Sequence, residues 1–477
     1  MLLGAATLAL IFALAGTHHT QSQGPPLRDF EAYYAAGQTW HDNGDPYGRD
    51  VWRTERLISG VVATRDELLP FVGPPFGLPL WATLARLPFR GASIVWAIVL
   101  GISFATLTLG SLALAAGHFT WPRVLATVLF GVAFAPLTGG IALGQVALVS
   151  CAAIVAMPGL LRPRGTLGAA GAAIVAALQP NLALALAARA SDTRARIAFV
   201  VAAVIAALGS ALALGGPDGL ARYAAVLREH GAAERFIAIQ TAPGAVAYAL
   251  GASAATASTF ALALAAFVIV LLGVQCWRGR YPPDARLMLA CAAIPLTLPF
   301  AHAHDYAIAF LPAIVLVVRA RGVLWVWAAC AALALGIDWL GLAQRPHDIA
   351  APLTLAIAGA CALAALAPGK LAPYHAIPFG LVALVALASR MVAQHTLPVW
   401  PDALPSDFHV AAKLPAAVVW AAEQAASGIA VRDQMWGALR AVGLIACAIL
   451  WSVASIVLRE RRVEAAIPSG APATRAL

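Results

Sequence analysis

Residues able to do chemistry gather at two places in this sequence. Near the start stands Arg28-Asp29-Phe30-Glu31-Ala32-Tyr33-Tyr34, with two carboxylates and two tyrosines close together. Much later, Ala301-His302-Ala303-His304-Asp305-Tyr306 sets two imidazoles and a carboxylate into a break in an apolar run. A carboxylate such as Asp29 can take the proton of a hydroxyl as that oxygen attacks an electrophilic carbon. It can equally cap a helix that runs on through Phe30 and Tyr33. The histidines can steady charge developing on a leaving phosphate. His-x-His-Asp also offers three ligands to a metal, and a plain hairpin turn whose polar groups reach water requires neither role. Gln145, just after Gly144, and Gln179, just before Pro180, can bind sugar hydroxyls or bond between helices.

The elements that must position these groups are greasy. The 477 residues are 61% hydrophobic and only 11% charged, with a mean hydropathy of +0.82. Soluble chains carry about 25% charged residues, so the class is an all-α polytopic membrane protein. The net charge of +9 sits in short arginine clusters between apolar segments, not in a basic tract of the nucleic-acid kind. Nucleic acid is therefore excluded as a partner, and no obligate protein partner is evident. The six cysteines are scattered without CxxC spacing, which indicates neither a zinc site nor a disulfide framework.

Residues 1–16 are apolar and read as a retained first helix or a cleaved signal peptide. Residues 17–73 hold five arginines against eight acids, a balance that suits an outer loop. A short apolar piece at 76–87 follows. Spans are expected near 91–116, 123–140, 144–161, 197–215, 253–275, 322–341, 350–367, 374–391 and 438–457. Two further stretches, 166–188 and 287–318, carry arginines at both ends and a break in the middle. Each is expected to be a hairpin returning to its starting side. In the second, each arm of roughly 14 residues is about 20 Å of helix, too short to span. This yields roughly 12 to 14 transmembrane or half-spanning helices in one domain, 1–464, with both termini inside. Further outer loops lie at 216–250 and 392–437, and 465–477 forms a disordered tail.

The order Asp29-Phe30-x-x-Tyr33-Tyr34-Ala35-Ala36-Gly37, then Gly44-Asp45-Pro46-Tyr47, then Pro74-Pro75 with Leu87-Pro88, resembles bacterial glycosyltransferase family 87. Gly144-Gln145-Val146, Gln179-Pro180-Asn181 and His304-Asp305-Tyr306 follow in the same order. The resemblance runs over roughly residues 25 to 320. It implies a GT-C-type fold and a polyprenyl-phosphate sugar, with mannose foremost, as donor. It also implies transfer with inversion, without a metal or other cofactor, onto a glycolipid or glycan at the outer face of the bacterial inner membrane. Asp29 maps onto the family's base, and His302 or His304 onto its phosphate-associated histidine. The chain departs from the family at Gln179, where a lysine is usual, and at Gly73, where a tyrosine is usual.

The expected site is therefore Asp29 as catalytic base, with His302, His304, Asp305, Gln145 and Gln179 toward the donor. Glu31, Tyr33 and Tyr34 are assigned to the acceptor side, and no metal is expected. The alternative is a transporter or flippase of lipid-linked sugars, since broken helices in two halves of a chain are what transporters use.

Overall fold

The computed structural model describes residues 2–7, 27–162, 164–278, 281–411 and 413–465, with side chains given as far as Arg459. Most of the 1–16 segment, the start of the first loop and the 466–477 tail lie outside the described residues. Every regular element among the described residues is a helix. Three long ones follow the expected spans closely: Phe89–Ala116, Thr193–Ala213 and Ala254–Trp277. Pro373–Val392 and Gln434–Arg459 complete a set of five helices long and apolar enough to cross a membrane.

The long helices form the outside of the molecule. Ile94, Ile98 and Ile102 stand exposed on one face of Phe89–Ala116, and Leu262, Phe267 and Val270 on Ala254–Trp277. An exposed apolar stripe on a helix that is apolar all round faces lipid. The short helices lie within. Phe310–Arg319 buries Phe310 through Val318 without a gap and packs on Phe89–Ala116. Pro283–Ala293 is equally enclosed against the Gln434–Ala465 helix.

Several expected spans are shorter or bent, so the count of roughly 12 to 14 is not what helix length gives. The 123–140 stretch is two helices, Trp121–Ala133 and Ala135–Leu143, meeting at a 63° bend. Phe134 is extended there and Pro136 opens the second helix, so the hydrogen-bond ladder cannot continue. Ala147–Leu160 has 14 residues, about 21 Å against a hydrocarbon core of about 30 Å. Gly322–Gly336 and Ala350–Leu366 also fall short of their expected ranges, with 15 and 17 residues.

The two broken stretches are broken where the polar residues sit. Thr166–Ala176 ends before Gln179, and a short helix restarts at Pro180. Pro283–Ala293 passes through a 3-10 turn, then an irregular stretch from Thr297 to His302, before Ala303–Ala309 and Phe310–Arg319 resume. The three long polar loops meet as one cap. Arg65 donates to the carbonyls of Pro401 at 3.2 Å and Leu404 at 3.0 Å. Ala238 N–H donates to the Ile429 carbonyl at 2.8 Å.

Candidate active site

Asp29 lies in the first turn of the Arg28–His41 helix, two residues past the cap position, which Leu27 occupies with a left-handed backbone. A carboxylate there is favoured by the helix dipole. The helix is held down by Phe30, which stacks on Trp96 at 5.6 Å and on Phe89 at 6.1 Å. One turn on, Tyr33 stacks on Trp81 at 4.8 Å. Gly37 touches backbone closely enough that a Cβ would lie 2.3 Å from the Trp81 carbonyl carbon. No other residue fits that approach.

Gln145 reaches Asp29 because Ala135–Leu143 ends in a left-handed glycine. Gly144 has φ +80°, and a Cβ on it would stand 2.9 Å from the Cβ atoms of Leu27 and Phe30. A helix that stops in this way turns its chain sharply, and Gln145 N–H closes the turn on the Gly140 carbonyl at 2.8 Å. The Gln145 side-chain amide then donates to Asp29 Oδ2. Its carbonyl accepts from the Tyr33 hydroxyl at 3.2 Å. Tyr33 thereby fixes which end of the amide faces the carboxylate. Burial raises the Asp29 pKa, and the Gln145 hydrogen bond, His302 and Arg28 oppose that rise.

The second group is built on the two breaks. Gln179 donates to Asp305 Oδ1 at 3.1 Å, and the His302 backbone N–H donates to Asp305 Oδ2 at 3.0 Å. Both oxygens of this buried carboxylate therefore hold the turn together, which leaves it poorly placed as a metal ligand. Among the described residues no group of three or more His, Cys, Asp or Glu could hold a metal ion. The imidazoles of His302 and His304 stack at 5.4 Å, yet their surroundings differ. His304 is buried, and that pushes its pKa down to about 4. Burial would lower His302 as well, but the nearby Glu234 carboxylate outweighs it and raises the His302 pKa.

Glu234 is the residue that sequence reasoning missed. It ends the Pro217–Glu234 helix in the 216–250 loop, where acids are ordinary. Its carboxylate accepts from Trp420 Nε1 at 2.9 Å and pairs with His230 Nε2 at 3.1 Å. The His302 Nε2 atom lies 3.8 Å away. Burial alone would raise the Glu234 pKa; His230 and His302 instead hold it well below the carboxylate range. The Gln240 side-chain carbonyl accepts from the Ala301 N–H at 2.8 Å, and its amide nitrogen lies 3.2 Å from His302 Nε2. The only sequence signal was His230 and Glu234 at helical i,i+4 spacing.

The two groups form one site. A Cβ on Gly140 would lie 3.6 Å from His304 Cβ and 4.0 Å from Gln145 Cβ, so both flank one glycine. Asp29 and His302 lie within electrostatic reach of each other, each shifting the other toward its charged form. Asp29, Tyr33, Gln145, Gln179, His302, His304 and Asp305 are thus brought together. Glu31 and Tyr34 are not. Glu31 faces away, in a buried cluster with Arg28 and Glu67, and the Tyr34 hydroxyl donates to the Leu87 carbonyl at 3.0 Å.

Residues 71–299 match the model of glycosyltransferase family 87. Over that segment, just under half of its length, the chain is similar to that family. No curated protein and no solved structure matches it. The likeness points to a membrane glycosyltransferase, in keeping with the chain's apolar helices. Within the family 87 segment lie Gln145, Gln179, Glu234 and Gln240; Asp29 and the His302–Asp305 turn fall outside it.

Proposed function

We propose that the chain transfers a hexose, mannose foremost, from a polyprenyl-phosphate sugar to a glycolipid or glycan acceptor at the outer face of the inner membrane. Asp29 is the general base. It removes the acceptor hydroxyl proton while that oxygen attacks the anomeric carbon. The bond from the anomeric carbon to the phosphate oxygen breaks, the configuration inverts, and polyprenyl phosphate leaves with the bonding electrons. His302, charged through Glu234, steadies the phosphate as it departs. His304 stays neutral and serves as a hydrogen-bonding group. Gln145 aims the Asp29 carboxylate, and Gln179 with Asp305 shapes the turn that presents His302.

The observation that carries this reading is the pairing of a half-buried, aimed carboxylate at Asp29 with a chargeable imidazole at His302, within electrostatic reach of each other. An inverting transfer from a phosphate leaving group requires that separation of roles. The test is Asp29→Asn in membrane vesicles supplied with radiolabelled polyprenyl-phosphate mannose. The asparagine carbonyl still accepts from Gln145, so the protein should accumulate and melt as the wild type does. Transfer should fall by about 10²–10⁴-fold, the worth of a positioned base. Transfer within threefold of wild type would remove Asp29 from the mechanism.

A further inference from the structure

A cavity of about 370 Å³ lies among the polar loops and is lined by Tyr47, Phe71, His230 and Lys413, among others. Its volume is within the range of small-molecule sites. All three long polar loops contribute to it: 45–49 and 70–72 from the first, 226–230 from the second and 413–417 from the third. It touches the candidate active site at two points. Phe71 packs edge-on against Tyr33 at 6.1 Å, and Tyr33 is bonded to the Gln145 that holds Asp29. His230, on another wall, pairs with Glu234.

The lining chemistry selects the occupant. Asp45 and Glu229 are exposed carboxylates on the rim, able only to accept hydrogen bonds. Arg49 and Lys413 are able only to donate. Arg49 lies over the Trp52 ring at 3.7 Å and donates to the Ala411 carbonyl at 2.9 Å, so its guanidinium is fixed at the rim. Lys413 holds a left-handed backbone with φ 75°, an unusual conformation for a residue with a side chain. An acyl or prenyl chain would leave these four charges without partners where it covered them, which is costly. A phosphate would face two carboxylates. A ring carrying several hydroxyls, each both donor and acceptor, answers both signs at once. Tyr47 and Phe71, both buried, supply an apolar floor for its C–H face.

We propose that this cavity seats the carbohydrate headgroup of the acceptor, a neutral polyol ring, beside the candidate active site. The proposal rests on the transferase reading above. It is tested on the full chain in nanodiscs by calorimetric titration with n-octyl α-D-mannopyranoside below its micelle concentration, with n-octyl phosphate as the anionic comparison. The mannoside should bind saturably, and any phosphate binding, which the donor site at His302 can supply, should be unchanged in the cavity variants. Ala416→Phe, which fills the cavity, and Lys413→Met, which removes a donor while keeping the side chain's reach, should each weaken mannoside binding at least tenfold. A thermal melt within a few degrees of wild type secures Lys413→Met as the deciding variant should Ala416→Phe fold poorly. Unchanged mannoside affinity in Lys413→Met, an absence of saturable mannoside binding, or an equal loss of phosphate binding in Lys413→Met would overturn the proposal. The Asp29→Asn transfer assay reports on the chemistry independently, so failure of the subsite and failure of the transferase reading are told apart.

Discussion

Replacing Glu234 with glutamine tests whether His302 works as a cation. The variant keeps the side chain's size and can still accept from Trp420, so it removes mainly the charge 3.8 Å from His302 Nε2. Two unit charges at that distance attract by about 4.4 kcal/mol at an effective dielectric of about 20. The cost of burying both groups cancels part of this. If about 2 kcal/mol remains at the transition state, the rate of transfer falls about 30-fold. The pH profile should change with a definite sign. His302 is raised by Glu234, Asp305 and Asp29 against burial, so its cation persists above the ordinary imidazole range and is lost as pH rises through the raised value. Without Glu234 the alkaline limb of kcat should move to lower pH. Glu234 itself is lowered, so its contribution is present above the ordinary carboxylate range and disappears as pH falls through the lowered value. The assay is transfer from polyprenyl-phosphate mannose over the neutral to alkaline range, with a thermal melt at each pH. Activity within threefold of wild type and an unmoved alkaline limb would refute the reasoning; a parallel collapse of melting temperature would assign the residue to folding instead.

Three further variants probe the support around Asp29. Gln145→Ala removes a hydrogen bond to a charged group, worth about 1.5–3 kcal/mol, and should lower kcat by about 10–100-fold; a loss below threefold would show that Asp29 needs no aiming. Gly144→Ala forces a side chain into a φ of +80° with atoms 2.9 Å away, and the thermal melt should register a loss of about 1–3 kcal/mol. Glu423→Gln should be at least as stable as the wild type at pH 7, because burial pushes the Glu423 pKa up to about 9 and the wild type must take up a proton there to fold, whereas glutamine is neutral in both states; the wild type alone should weaken as pH climbs from the ordinary carboxylate value through the raised one, and a glutamine variant that melts more than about 2 kcal/mol below wild type at pH 7 would show an ionised glutamate.

Much of the site was legible because polar residues are rare in this chain. Asp305 and Gln179 interrupt apolar runs, and each interruption turned out to be a partner of the other. The Arg28–His41 helix shows what a sequence read without geometry misses. Asp29 and Tyr33 are four residues apart and share a face, while Glu31 is about 200° around the helix from Asp29 at 100° per residue. Helical period alone separates Asp29 from its neighbouring acid. Glu234 and Trp420 could not be picked out, because in polar loops nothing marks one acid or one tryptophan from another. The hydropathy windows found where apolar segments lie but not that Phe134 would bend one of them, since a 63° bend barely alters mean hydropathy.

The placement of short helices inside and long ones outside follows from the same demand. Peptide groups freed by a broken helix cannot face lipid, because nothing there bonds to them. A site that needs Gln179, His302 and Asp305 on irregular backbone must therefore be ringed by uninterrupted helices, and Phe89–Ala116, Thr193–Ala213 and Ala254–Trp277 supply long unbroken apolar helices of that kind. Their exposed isoleucines, valines and leucines carry no chemistry. They allow the interior to be irregular. Glu234 extends the logic to the loops: the 216–250 segment charges a histidine that belongs to the broken hairpin. Coupling of that kind explains why a membrane enzyme would hold its polar loops against one another through Arg65, Ala238 and Trp420. Trp420 and His230 hold Glu234 in place, so the loops that carry them fix the carboxylate that faces His302.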